Sequence, residues 1–117
     1  MAELTDEAID AAMKRGRIEL ATKPRAETAR YDRQLGRLVI ELTNGCVFLF
    51  PPRLGQGLEH ATDDQIEAVE VLGSGYGLHW EELDADLSVE GLMAGRFGSQ
   101  RYMERRFGPD WRFADAA

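Results

Sequence analysis

SGYGLHWEELDADLSVEGLMAG, residues Ser74 to Gly95, holds one His, one Trp and five carboxylates between glycine-marked ends. Two readings compete for it. In one, His79, Asp84 and Asp86 form a site for a metal or for acid–base chemistry. In the other, the segment is a folding unit with a polar outside. The alternation in YGLHW puts Tyr76, Leu78 and Trp80 on one strand face and His79 on the other. Leu83 and Leu87 bracket the acids at helical i, i+4 spacing, and Asp84 and Asp86 suit a turn whose amides they accept from. Ser88 is a good N-cap for the short helix VEGLMAG, whose Leu92 and Met93 would seal the sheet. The expected order is strand, turn with carboxylate caps, short helix.

The chemical reading fares less well on the same residues. His79, Glu82, Asp84 and Asp86 are four candidate ligands within eight residues. A metal site usually needs two or more imidazole or thiolate ligands, or an oxygen cage of fixed spacing. DADLSVEG lacks the glycine and the final bidentate Glu of a calcium loop, and the other histidine, His60, is remote. No Ser, Cys or Thr sits in a nucleophile motif. GSGYG lacks the Lys and the helix start of a phosphate-cradling loop. We therefore assign no catalytic, cofactor-binding or metal-ligating residue. A small metal-dependent or carboxylate-using enzyme built on His79, Asp84 and Asp86 is the alternative.

Upstream, Thr5 is a good N-cap, with Asp6 and Glu7 in the first turn of a helix that KRGR closes. Pro24 turns ATKPRAE into a linker. ETARYD, RLVIEL and CVFLF read as strands, and Asn44-Gly45 is the strongest hairpin signal in the chain. A two-residue loop would set Leu42 opposite Val47 and Ile40 opposite Leu49. Leu38, Ile40, Leu42, Val47 and Leu49 would then form the core face. Phe48 and Phe50 would lie on the other face with Cys46, covered by the first helix or by a second copy in a homodimer. TDDQ matches a capping box, with Thr62 as N-cap and Gln65 three residues on. VEVLG and YGLHW pair through Gly73-Ser74-Gly75, and Ser99 caps QRYMERRF. Trp111 and Phe113 are candidates to fold back on the body.

The expected fold class is thus α+β: a single compact domain of antiparallel β-hairpins packed with short helices, with N-terminal and C-terminal helices. The organisation is an N-terminal helix and linker (1–23), an α+β core (24–95) and an Arg-rich C-terminal helix and tail (96–117). At 117 residues the chain is long enough to bury a core. No apolar run approaches the length needed to span a bilayer, and the start lacks a secretory pattern, so a cytoplasmic location is expected. Cys46 is the lone cysteine, read as a buried thiol among apolar neighbours.

Charge is the clearest functional signal. The net charge is -7, and from Leu54 to Ala94 there are ten carboxylates and no Lys or Arg. Such a surface repels phosphate backbones and attracts a basic protein. Lys14–Arg37, with 8 basic and 3 acidic residues, is the one stretch that could hold nucleic acid weakly.

FPPRL, followed some twenty residues later by the opening stretch, resembles the bacterial family known as domain of unknown function 2442. The resemblance rests on Pro52, Arg53 and Leu54, then Gly75, His79 and Trp80, then Leu83, Asp84, Asp86, Leu87, Ser88 and Leu92, and covers roughly residues 27–95. It implies a compact α+β domain with no established activity or cofactor. It also implies kinship with the partner or antitoxin half of small two-gene modules, some of which carry helix-turn-helix domains; this chain shows no recognition helix of that kind. The expected function is a non-enzymatic protein-binding module. Arg53 is expected to pair with Asp84 or Asp86, leaving Trp80 and the exposed acids to face the partner.

Overall fold

The computed structural model describes residues 5–111, with the backbone alone for residues 15–22. Helix α1 (Asp6–Thr22) opens with the Thr5 hydroxyl accepting from the Ala8 N–H at 3.1 Å and runs past Gly16, further than the sequence suggested. Three strands follow, β1 (Ala26–Asp32), β2 (Arg37–Leu42) and β3 (Val47–Phe50), as one antiparallel meander. A 3-10 turn (Pro52–Leu54) and helix α2 (Asp63–Glu67) lead to a second meander, β4 (Glu70–Leu72), β5 (Gly77–Trp80) and β6 (Ala85–Ser88). Helices α3 (Val89–Met93) and α4 (Gln100–Phe107) complete the order. The architecture is α+β. Phe113 lies outside the described residues.

The sequence places several elements well because their boundaries are written in side chains. Thr62 and Gln65 form the reciprocal capping box of α2. The Ser88 and Ser99 hydroxyls accept from Gly91 and Tyr102 amides at the starts of α3 and α4. Each such cap is worth about 1 kcal/mol.

The first hairpin differs from expectation by one residue. Its loop has three residues, Thr43-Asn44-Gly45, because the Leu42 N–H donates to the Cys46 carbonyl at 2.8 Å. The Asn44 Oδ1 reaches ahead to the Cys46 N–H at 2.9 Å, and Gly45 takes φ +92°. That combination makes a turn followed by a left-handed residue, in place of the two-residue turn. Ile40 therefore opposes Phe48, and Leu38 opposes Phe50. A one-residue slip sends every side chain of β3 to the other face. Phe50 is buried with Leu38, Ile40 and Leu42, and Phe48 packs against them, while Val47 and Leu49 stand 53% and 44% exposed. Cys46 is exposed as well, which corrects its reading as a buried thiol.

Neither α1 nor a second copy is needed to cover Phe48 and Phe50. The Phe50 ring lies 5.9 Å from Phe97, which lies 6.4 Å from Phe107 on α4. The C-terminal segment closes that side, with Met103 buried beside it. Among the described residues, the exposed large apolar side chains on the strands of the first sheet are Val47 and Leu49.

The two meanders share one core, in which Leu78, Trp80, Ala85 and Leu87 of the second, with Val89 and Leu92 of α3, meet the first. They join where the Ala26 N–H donates to the Gly75 carbonyl at 2.7 Å. Asp86, expected in the turn, lies instead on the third strand of the second sheet, Ala85–Ser88. The turn sits one step earlier, at residues 81–84, where Asp84 takes φ +49° and its N–H donates to the Glu81 carbonyl at 3.2 Å. Met93 is 44% exposed, so Leu92 alone of that pair closes over the sheet.

Candidate functional site

The alternation along β5 puts Leu78 and Trp80 in the core and His79 outside. Cross-strand pairing sets His79 opposite Asp86 on β6. The result is an imidazole held on both nitrogens: Nδ1 lies 2.7 Å from Asp86 Oδ1, and Nε2 lies 2.7 Å from Glu81 Oε2. The two carboxylates, Glu81 first and Asp86 second, raise its pKa to about 9. His79 is therefore a cation at neutral pH that donates from both ring nitrogens. An imidazolium so engaged has no lone pair for a metal or for an incoming proton. Asp84 stands in the turn, and its value there is backbone: Asp tolerates the left-handed conformation better than most residues. Among the described residues no three His, Cys, Asp or Glu side chains gather as a metal would require.

The raised pKa of His79 links stability to pH. The stability it contributes is fully present below the ordinary value of 6.5 and is lost as pH climbs through about 9. We predict an NMR titration midpoint for the ring near 9, with a fall in melting temperature across that window that His79→Gln abolishes. A ring that titrates at its ordinary value would remove the clamp.

Arg53 turns the other way from the expected partners. Its Nε donates to the Ala61 carbonyl at 3.0 Å and its Nη2 to Asp63 Oδ1 at 3.1 Å. The Tyr31 hydroxyl donates to that same carboxylate oxygen at 3.0 Å. Arg53 and then Tyr31 hold the Asp63 carboxyl below its usual range. The FPPRL arginine thus ties the 3-10 turn to the start of α2 and to β1, while Asp86 is taken by His79. Beside it, Arg33 bridges Glu67, at 2.6 Å, and Asp64. Glu67 is held below its usual range by this arginine. Sequence reasoning missed both clusters. Arg33 and Arg53 each look unremarkable locally, and Arg33 meets acids 31 and 34 residues away.

Trp80 does not reach the surface from which it was expected to face a partner. It is 1% exposed, and its indole N–H donates to the Ile66 carbonyl at 3.0 Å. The basic stretch Lys14–Arg37 is also partly spent within the fold: Arg33 is bridged as above, Lys23 approaches Glu90 at 3.8 Å, Arg30 approaches Asp32 at 3.7 Å, and Arg25 lies over the Tyr76 ring. The acids remain outside. Of the ten between Leu54 and Ala94, Asp64, Glu67, Glu70, Glu81, Glu82, Asp84, Asp86 and Glu90 are exposed.

Two three-stranded meanders on one core, the second clad in carboxylates and closed by a His between two acids, define a small α+β domain with an acidic outer sheet. The chain belongs to the family described as protein of unknown function (DUF2442), whose model matches residues 26–98. It is similar to a crystal structure of a protein of unknown function from Rhodospirillum rubrum, with 63% identity and a TM-score of 0.68, covering 70% of this chain and 99% of that one. It is also similar to the solution structure of an uncharacterised protein from Chromobacterium violaceum, with 28% identity and a TM-score of 0.67, covering 90% of this chain and 95% of that one. No curated protein matches the chain. Among the described residues, no helix is long and apolar enough to cross a membrane.

Proposed function

We propose that this domain is a non-enzymatic protein-binding module that docks a basic partner on the acidic second sheet. In its specific form it is a cytoplasmic, antitoxin-like or regulatory partner of a basic protein. The observation that supports this reading is the display of eight exposed carboxylates along a stretch that carries no Lys or Arg. Scattered acids usually face nearby cations on their own chain. Here five of the eight do, through Arg33, His79 and Lys23, while Glu70, Glu82 and Asp84 carry no ion pair among the described residues. Net charge of this sign raises the local concentration of a basic surface and speeds encounter, with a strong dependence on salt. The engaged state of His79 supports the same reading, since the groups that an enzyme would need are occupied in holding the sheet.

The test is affinity capture with the tagged domain from the cells that make it. One basic protein should be retained at about one-to-one stoichiometry near physiological ionic strength and released as salt screens the surface. The triple variant Glu70→Gln, Glu82→Gln, Asp84→Asn should retain it poorly while melting normally. Recovery of no stoichiometric partner, or equal retention by the triple variant, would overturn the proposal.

A further inference from the structure

We propose that the free edge of β6 receives an extended basic segment of the partner as an added strand. This rests on the protein-binding reading above and names where and how the partner attaches. β6 lies at the end of the order β4-β5-β6, so one side of it is unpaired within the sheet. The Val89 N–H donates to the Tyr76 carbonyl at 3.0 Å, and the register sets Leu87 opposite Leu78 and Asp86 opposite His79. In an antiparallel pair, bonded and non-bonded positions alternate. The bond at Val89 therefore assigns the ladder bonds to Leu87 and Ala85. It leaves the Asp86 N–H and carbonyl, and the Ser88 N–H, directed away from β5.

Asp86 and Ser88, with Leu87 between them, line a cleft of about 530 Å³. Their side chains alternate between the two sheet faces, so the cleft meets β6 edge-on. The far wall is a rigid one: the Gln56 N–H donates to the Phe97 carbonyl at 2.8 Å, and the Gln56 Oε1 accepts from the Ser99 N–H at 2.9 Å. An unpaired edge inside a walled cleft is the geometry of peptide capture by strand addition, in which backbone hydrogen bonds hold the ligand and alternate side chains select it.

The charge preference comes from the whole setting. Asp86 and Glu90 line the cleft and face His79 and Lys23 respectively. Arg96 lines it too, with its Nε donating to the Gly98 carbonyl at 3.0 Å. The acidic stretch around these groups, and the net charge of -7, favour lysine or arginine at the alternate positions.

The experiment uses the full chain and the acetylated, amidated probe peptide Lys-Val-Lys-Val-Lys-Val-Lys, read by NMR hydrogen exchange. The Asp86 and Ser88 amides should exchange freely at first and slow at least about tenfold on saturation. The same peptide methylated on every backbone nitrogen keeps its charge and side chains but has no backbone N–H to donate, and its methyl groups hold the two strands apart. It should bind about tenfold more weakly or worse, because the bond to the Asp86 carbonyl is lost and the bonds from the Asp86 and Ser88 amides are weakened by the wider spacing. A glutamate-for-lysine peptide should also bind more weakly. Equal binding by the methylated probe, or binding that leaves Asp86 and Ser88 exchange unchanged, would overturn strand addition while leaving the capture result standing. Absence of any binding by the lysine probe overturns it too, and so does protection of Asp86 in the free protein through pairing of two β6 edges. Failure of the protein-binding reading is read separately, from the capture experiment.

Discussion

Gly75→Ala should cost about 4 kcal/mol, a large fraction of the stability of an average domain of this size. Two independent causes act at the same atom. Gly75 sits at φ +99°, where a side chain is strained by about 1–3 kcal/mol. The site is also closed: an added β-carbon would overlap the Ala26 carbonyl oxygen and come 3.0 Å from the Ala26 nitrogen. Overpacking of this kind adds roughly 1–3 kcal/mol. The obstruction is backbone, so no side-chain rotation relieves it. It also lies at the seam between the sheets, where the Ala26 N–H meets the Gly75 carbonyl. Gly73→Ala is the control. That residue is at φ +59° with open space around its missing side chain, and should lose only about 1 kcal/mol. Urea unfolding of the two variants side by side measures the difference. Equal midpoints would mean that the Ala26–Gly75 junction does not hold the sheets together.

The same seam shows how far a sequence can be read. GSGYG is legible as a turn because glycine is the residue that left-handed turns use. That one of its glycines also touches β1, some fifty residues away, is a tertiary fact with no local trace. The Asn44-Gly45 hairpin carries the same lesson at finer scale. The turn was visible, but its length was set by the Asn44 side chain reaching Cys46, and that single choice moved Phe48 and Phe50 from the outside to the core side. Both registers gave an apolar face, so hydrophobic pattern could not decide between them. β6 was missed because ADLS is short and its acids suggest a turn, whereas pairing with β5 makes it a strand.

The candidate site divides along the same line. Cluster composition was plain, and the exposure of most of the acids follows from their type. Which cation meets which acid was not plain. His79 meets Asp86 because β5 and β6 pair, and Arg53 meets Asp63 because the 3-10 turn abuts α2. Each partner choice depends on where a turn brings the backbone. These choices also carry opposite pH signatures. Asp63 and Glu67 are held below their ordinary values, so their contributions persist above those values and fade as acid protonates them. His79 fades at the alkaline end. Stability should therefore be broadest between the two, around neutral pH.

Trp80→Ala should lower stability by about 3–5 kcal/mol, and it separates the two roles that the sequence could assign to this residue. The indole is buried in the shared core among the second sheet's apolar side chains, and its N–H satisfies the Ile66 carbonyl just where α2 ends. Truncation opens a cavity and orphans that carbonyl together. Trp80→Phe keeps most of the volume and removes the donor, so it should lose a smaller amount, about 1–2 kcal/mol. Urea midpoints followed by circular dichroism give both values. The phenylalanine variant then becomes the sharper probe of function. It remains folded, its acidic surface is unchanged, and a side chain that never reaches solvent cannot touch a partner. Capture of the basic protein by Trp80→Phe should match the parent. A loss of capture from this folded variant would place Trp80 in the interface and move the docking surface away from the carboxylates on the outer sheet.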